Sequence, residues 1–164
     1  MNVLLHDLQS GLPQFLLPGE NGVVFYAGKN SLPCKGCFHC WLKNPGFCVI
    51  PDELQHAGAL LGNAETLTIV TRNCFGGYSP AVKAVLDRGI GLSLPLFTYR
   101  GKKTHHICRY PRGKQLTVLF YGDSTPFERK TARALVEQNR LNFGFGAARA
   151  LFAPDAACLG DAAP

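Results

Sequence analysis

No run of apolar residues in this sequence is long enough to cross a bilayer, and the first segment, "MNVLLHDLQ", has no basic leader and an apolar run of only three residues. Neither a membrane span nor a secretory signal is predicted, so a cytoplasmic protein without membrane association is expected. Acid is missing from one stretch altogether. Between Tyr99 and Lys114 stand Arg100, Lys102, Lys103, Arg109, Arg112 and Lys114 with no Asp or Glu, and these six account for the whole net charge of +6. With Gly101, Pro111 and Gly113 among them, they read as a surface loop rather than a basic helix for a nucleic-acid groove, and no nucleic-acid partner is expected. Phosphate recognition, or docking of an acidic redox partner, remains open to this loop. A catalytic His–carboxylate pairing is lacking too: His6 and His56 have no suggestive neighbours, and the adjacent His105 and His106 read as surface residues.

What is present is enough for one domain: 164 residues, 46% of them hydrophobic. Residues 3–6, 23–27, 66–71, 115–121 and 148–153 are short apolar runs, most of them β-branched or aromatic, as in strands buried on both faces of a parallel sheet. Helical patterns occupy 51–62, 79–92 and 125–143. They open on Pro51 with Asp52 and Glu53, on Ser79-Pro80 and on Thr125-Pro126, start signals that suit orphan N–H groups. The alternation predicts an α/β doubly wound domain over residues 1–153 with a five-stranded parallel sheet. Between the first two strands the chain is short and holds two prolines and three glycines, so the first connection is expected to be abbreviated. Residues 154–164 are expected to be a disordered tail, with Cys158 incidental.

Four of seven cysteines fall in "CKGCFHCWLKNPGFC". In a reducing compartment, clustered thiols are more often metal ligands or redox groups than structural disulfides. The C-x2-C-x2-C-x7-C spacing of Cys34, Cys37, Cys40 and Cys48 suits a [4Fe-4S] cluster better than zinc, and free thiols are the remaining reading. Trp41 is expected to shield this segment. Ligands of open α/β sheets bind outside the carboxyl ends of the strands. There the loop Asn73, Cys74, Phe75, Gly76, Gly77, Tyr78, Ser79 offers close backbone approach and planar apolar faces, and Tyr121, Gly122, Asp123, Ser124 and Thr125 come to the same edge. Asp87 and Arg88 read as structural.

The segment "CKGCFHCWLKNPGFCVIPDEL" followed by "NCFGGYSPAVKAVLDR" resembles the flavodoxin-like NAD(P)H-dependent FMN reductases, in particular their iron–sulfur flavoprotein branch. The resemblance is close over residues 34–88. It implies a flavodoxin-like fold, FMN as cofactor with its ring along Asn73–Ser79, a cluster on the four cysteines, NAD(P)H as electron donor, a small-molecule or protein electron acceptor, and a homodimer. One departure stands out. Where such reductases carry a hydroxyl-rich phosphate loop entering a helix, this chain reads "HDLQSGLPQ", with Asp7 placed to repel phosphate. The phosphate is then expected to need the 99–114 loop, with Ser10 and Gly11 as lesser donors. A cluster-only electron carrier and a non-enzymatic binding module are the alternatives.

Overall fold

The computed structural model describes residues 1–9, 11–28 and 32–162; Ser10, named above as a phosphate donor, lies outside them. The strands are β1 (Asn2–His6), β2 (Gly22–Tyr26), β3 (Thr66–Arg72), β4 (Ser93–Arg100), β5 (Lys103–Cys108), β6 (Gly113–Tyr121) and β7 (Phe145–Ala153). Five of them form one all-parallel sheet in the order β2-β1-β3-β6-β7, the flavodoxin-like arrangement, and β4 and β5 form a separate antiparallel hairpin. The five predicted strands are these five. The helices are α1 (His39–Leu42), α2 (Ala57–Gly62), α3 (Pro80–Arg88), α4 (Pro126–Phe143) and α5 (Leu159–Ala162). The start signals work as expected. Ser79 caps α3 by accepting from Val82 N, and Thr125 and Glu128 form a reciprocal capping box on α4, worth about 1 kcal/mol.

The two faces of the sheet are unequal. On one, α2, α3 and α4 bring Leu61, Val82, Val85 and Val136 against Leu5, Leu67, Ile69, Leu116 and Phe120. On the other, the connection after β1 holds only a single turn at Gln14–Leu16 among its described residues, which agrees with the abbreviated crossover read from the sequence. That face is therefore thinly covered, and a groove of about 580 Å3 lined by Thr66, Thr68 and Thr117 remains open on it. The central strands are nonetheless buried on both faces as expected, Val3, Leu4 and Leu5 in β1 and residues 116–120 in β6; the start of β3 departs from this, its Thr66 and Thr68 facing the groove while Leu67 and Ile69 meet the helices.

The tail is also corrected. Residues 154–162 fold back, and Leu159 is 0% exposed among Leu4, Leu8, Val70, Leu119 and Ala153. An apolar side chain was available to cover a face that lacks its crossover helix, and burying it is worth about 2 kcal/mol. No helix among the described residues is long and apolar enough to cross a membrane.

Candidate functional site

Two regions hold the residues singled out above, and α3 separates them. At its start lies the carboxyl edge of the sheet. After β3 the chain makes a tight turn, with Cys74 N donating to Gly77 O at 3.0 Å and Gly77 N donating to Cys74 O at 2.9 Å. Phe75 and Gly76, at its corners, have φ of 53° and 81°, the pair of positive values a type I′ turn demands. Glycine adopts this freely; phenylalanine does so at a cost of about 1 kcal/mol. The strained Phe75 points outward and is 91% exposed, a free aromatic face at a sheet edge. Asn73 braces the turn: its Oδ1 accepts from Gly76 N at 3.0 Å, and its Nδ2 donates to Asp123 O at 2.8 Å, tying together the two loops the sequence singled out.

Not every expected ring contact faces the opening. Tyr78 turns into the core, its ring stacked on Phe120 at 5.9 Å and its hydroxyl accepting from Asn139 Nδ2 at 2.8 Å; burial pushes its pKa up to about 12. Gly76 faces α4, where a Cβ would stand 2.6 Å from Glu128 O. Ser79 is buried at the α3 cap, although it still borders the crevice described next.

That crevice, about 500 Å3, lies between β1 and β3 and is lined by Asp7, Gln9, Tyr26, Arg72, Ser79 and Tyr121. It is the point where the strand order reverses, the usual ligand position in such sheets. Asp7 is fully engaged there. Its Oδ1 accepts from Tyr121 Oη at 3.0 Å, and its Oδ2 accepts from Arg72 N at 3.1 Å and Thr71 Oγ1 at 3.3 Å. Burial, and then the Asp7 charge, push the Tyr121 hydroxyl well above its ordinary pKa, so it stays a donor. The Arg72 guanidinium is exposed and makes no side-chain hydrogen bond or ion pair among the described residues. Sequence reasoning began this site at Asn73 and missed Arg72. Its position as the last residue of a central parallel strand was the available signal.

At the far end of α3, about 13 Å away along the helix axis, sits the cysteine segment. Arg88, 2% exposed, anchors it: one terminal nitrogen donates to Leu32 O and Asp52 Oδ2, both at 2.8 Å, and the other to Asp52 Oδ1 at 2.6 Å and Ile50 O at 3.3 Å. Hydrogen bonding from Arg88 holds the Asp52 carboxyl below its ordinary range. The structural reading of Arg88 agrees with this geometry. Asp87 pairs with Lys83. Trp41 is more than a shield, because its Nε1 donates to Ile90 O at 3.0 Å. Gly91 permits the close packing, since a Cβ there would stand 3.2 Å from Cys40 Cβ and from the Gly46 backbone.

Cys34 and Cys37 are exposed, Cys48 is half-buried and Cys40 is buried. Burial raises the Cys40 pKa, and the neighbouring Cys48, Cys34 and Cys37 raise it further. Among the described residues no three His, Cys, Asp or Glu side chains are arranged to hold a metal ion. The donor set itself fits a cluster: Cys34, Cys37 and Cys48 all lie near enough to act on Cys40, and four thiols in one segment are the ligands a [4Fe-4S] cluster takes.

The basic stretch is not one loop. Residues 93–108 form the hairpin β4–β5, turning at Gly101 and Lys102 with φ of 55° and 67°. It precedes β6 and therefore lies toward the amino edge of the parallel sheet, away from the crevice. Four of the six cations of the stretch are engaged: Arg100 donates to Leu141 O at 2.7 Å, Lys103 to Gln138 Oε1 at 3.4 Å and Arg109 Nε to Gly91 O at 3.0 Å, while Lys114, in β6, pairs with Glu65. The expected use of this stretch to hold a phosphate at the carboxyl edge is corrected accordingly. The histidines are corrected too. His105 is buried, and the His106 ring packs against Trp41 at 4.7 Å and Phe97 at 4.4 Å, tilted by 49° and 33° to them.

Fold and site together define a flavodoxin-like domain with an open crevice at the strand carboxyl ends and a thiol-rich segment beyond α3. No family model matches the chain. Among curated proteins it is similar to an iron-sulfur flavoprotein of Methanosarcina thermophila, 28% identical over 83 residues that make up 51% of this chain and 42% of that protein. The match thus spans about half of this chain and less than half of the relative's length.

Proposed function

We propose that this is a flavin-dependent electron-transfer protein, with FMN in the carboxyl-edge crevice, NAD(P)H as electron donor and a [4Fe-4S] cluster on Cys34, Cys37, Cys40 and Cys48. The crevice at the β1–β3 switch point carries the reading: it is lined by Arg72, a cation without a side-chain partner among the described residues, and the exposed Phe75 lies in the loop that follows Arg72 at the same sheet edge. The partial likeness to an iron-sulfur flavoprotein supports it. When bound, FMN accepts hydride from a nicotinamide and passes electrons on singly or in pairs. The chain's own part is to bind and orient. Arg72 would pair with the phosphate, while the three donors on Asp7 draw off the charge that would oppose it. Phe75 would offer its face to the ring, and the Asn73 brace would hold that turn in place.

A second reading, a cluster-only carrier, is favoured by one observation. No helix follows β1 directly among the described residues, so a phosphate finds no helix N-terminus there. Anaerobic purification with flavin and iron quantified on one sample separates the two. About one flavin per chain with about four irons supports the first; iron without flavin supports the second, and neither cofactor contradicts both.

A further inference from the structure

A guanidinium carries its N–H donors in a rigid planar fork, and in Arg88 both terminal nitrogens are fully engaged. Nη1 donates to Leu32 O and Asp52 Oδ2, and Nη2 donates to Asp52 Oδ1 and Ile50 O. The remaining donor is unspent. Nε is buried and has no hydrogen-bond partner among the described residues, in a side chain that is itself fully buried. Solvent does not reach it, so its partner has to come from the surrounding chain.

The fork also fixes where this donor points. The bonds to Asp52 use the inner protons of the two terminal nitrogens, which leaves the outer proton of Nη2 for Ile50 O at 3.3 Å. That outer proton and Nε–H leave the same edge of the plane. Nε–H therefore faces the stretch that carries Cys48, two residues before Ile50. Of the four cysteines, Cys48 is the one that acts on Arg88: burial works against the guanidinium charge, and Asp52 and then Cys48 sustain it. A thiol is a weak acceptor and a thiolate a much stronger one.

We propose that Arg88 Nε–H donates to the sulfur of Cys48 when the four cysteines hold their cluster, and that this hydrogen bond raises the reduction potential of the cluster. The proposal rests on the cluster reading above. Reduction adds negative charge to a cluster and its sulfurs, so a buried donor aimed at one of those sulfurs favours the reduced state. Arg88 is then a positioning residue that acts through Cys48.

The test is a dye-mediated potentiometric titration of the iron-loaded full chain, with iron counted on the same samples, for the unaltered protein, Arg88→Lys and Leu159→Ala. Lysine keeps a cation beside Asp52 but has no Nε–H. Arg88→Lys should retain its iron while its reduction equilibrium constant falls about tenfold, a shift of about 59 mV to lower potential for a one-electron couple. Leu159 packs on the other face of the sheet from α3, so Leu159→Ala should leave the potential unchanged, which separates the hydrogen bond from a general loss of stability. If Arg88→Lys does not fold or does not hold iron, NMR of the unaltered chain decides, with 15N-labelled arginine and NMR-active cadmium in place of the cluster. One arginine Hε should move downfield on loading and couple to the metal. An unchanged potential in iron-replete Arg88→Lys, an equal shift in Leu159→Ala, or no arginine Hε that responds to cadmium overturns the proposal alone. An unaltered chain that takes up neither iron nor cadmium overturns the cluster reading and the proposal with it.

Discussion

At its amino end α3 meets polar groups that stay near solvent, held by a braced turn that keeps Phe75 outward; at its carboxyl end it buries an arginine under a cysteine-rich segment. The first region spends backbone strain to present a surface. The second spends a buried ion pair to hold an irregular chain in place. The contrast teaches that the two candidate cofactor regions are mechanically independent, so a substitution in one should leave the other intact.

The largest break in that comparison comes from Asp52→Ala. Removing the carboxylate leaves the Arg88 charge buried and uncompensated, and urea unfolding should show a loss of about 3–5 kcal/mol, with altered emission from Trp41, the sole tryptophan. Acid should reproduce part of this. Since the folded-state pKa of Asp52 is depressed, its contribution is complete above the ordinary carboxylate value and disappears as pH falls through the lowered one. Trp41 emission should therefore change below about pH 4, and a change confined to pH 5–8 would contradict the assignment.

Leu159→Ala should cost about 2–4 kcal/mol in the same assay, whereas a tail without packing would give no change. Arg72→Ala should weaken FMN binding about tenfold, an order typical of losing one charged hydrogen-bond partner, and shift stability by no more than about 0.5 kcal/mol. The smallest effect sharpens the comparison most. Phe75→Asn places Asn-Gly at the type I′ corners and should raise stability by about 0.5–1 kcal/mol while weakening FMN binding, as measured by paired unfolding and flavin titrations.

Much of the fold was legible because its signals are local. Five apolar runs and the starts at Ser79 and Thr125 mark the sheet and two helices, and the proline- and glycine-rich residues after His6 mark the abbreviated crossover. The hairpin was hidden because alternating polar and basic residues from Tyr99 to Cys108 resemble a loop until β6 fixes where they lie. The tail was hidden because one leucine among alanines carries its packing. At the site, the two loops at the carboxyl edge were legible from glycine and aromatic spacing. The inward turn of Tyr78 depends on Asn139, sixty-one residues away, and the freedom of Arg72 depends on which groups Asp7 engages; neither pairing leaves a mark in local sequence.

The account rests on two separate sites at opposite ends of α3. Its most direct test is flavin and iron content, measured on the same anaerobic preparations of the unaltered chain, Arg72→Ala and Cys37→Ser. The expected result is about one flavin and about four irons in the first, flavin reduced with iron retained in the second, and iron lost with flavin retained in the third. Joint loss of flavin and iron in both folded variants, or no flavin in any sample supplied with FMN, would contradict it.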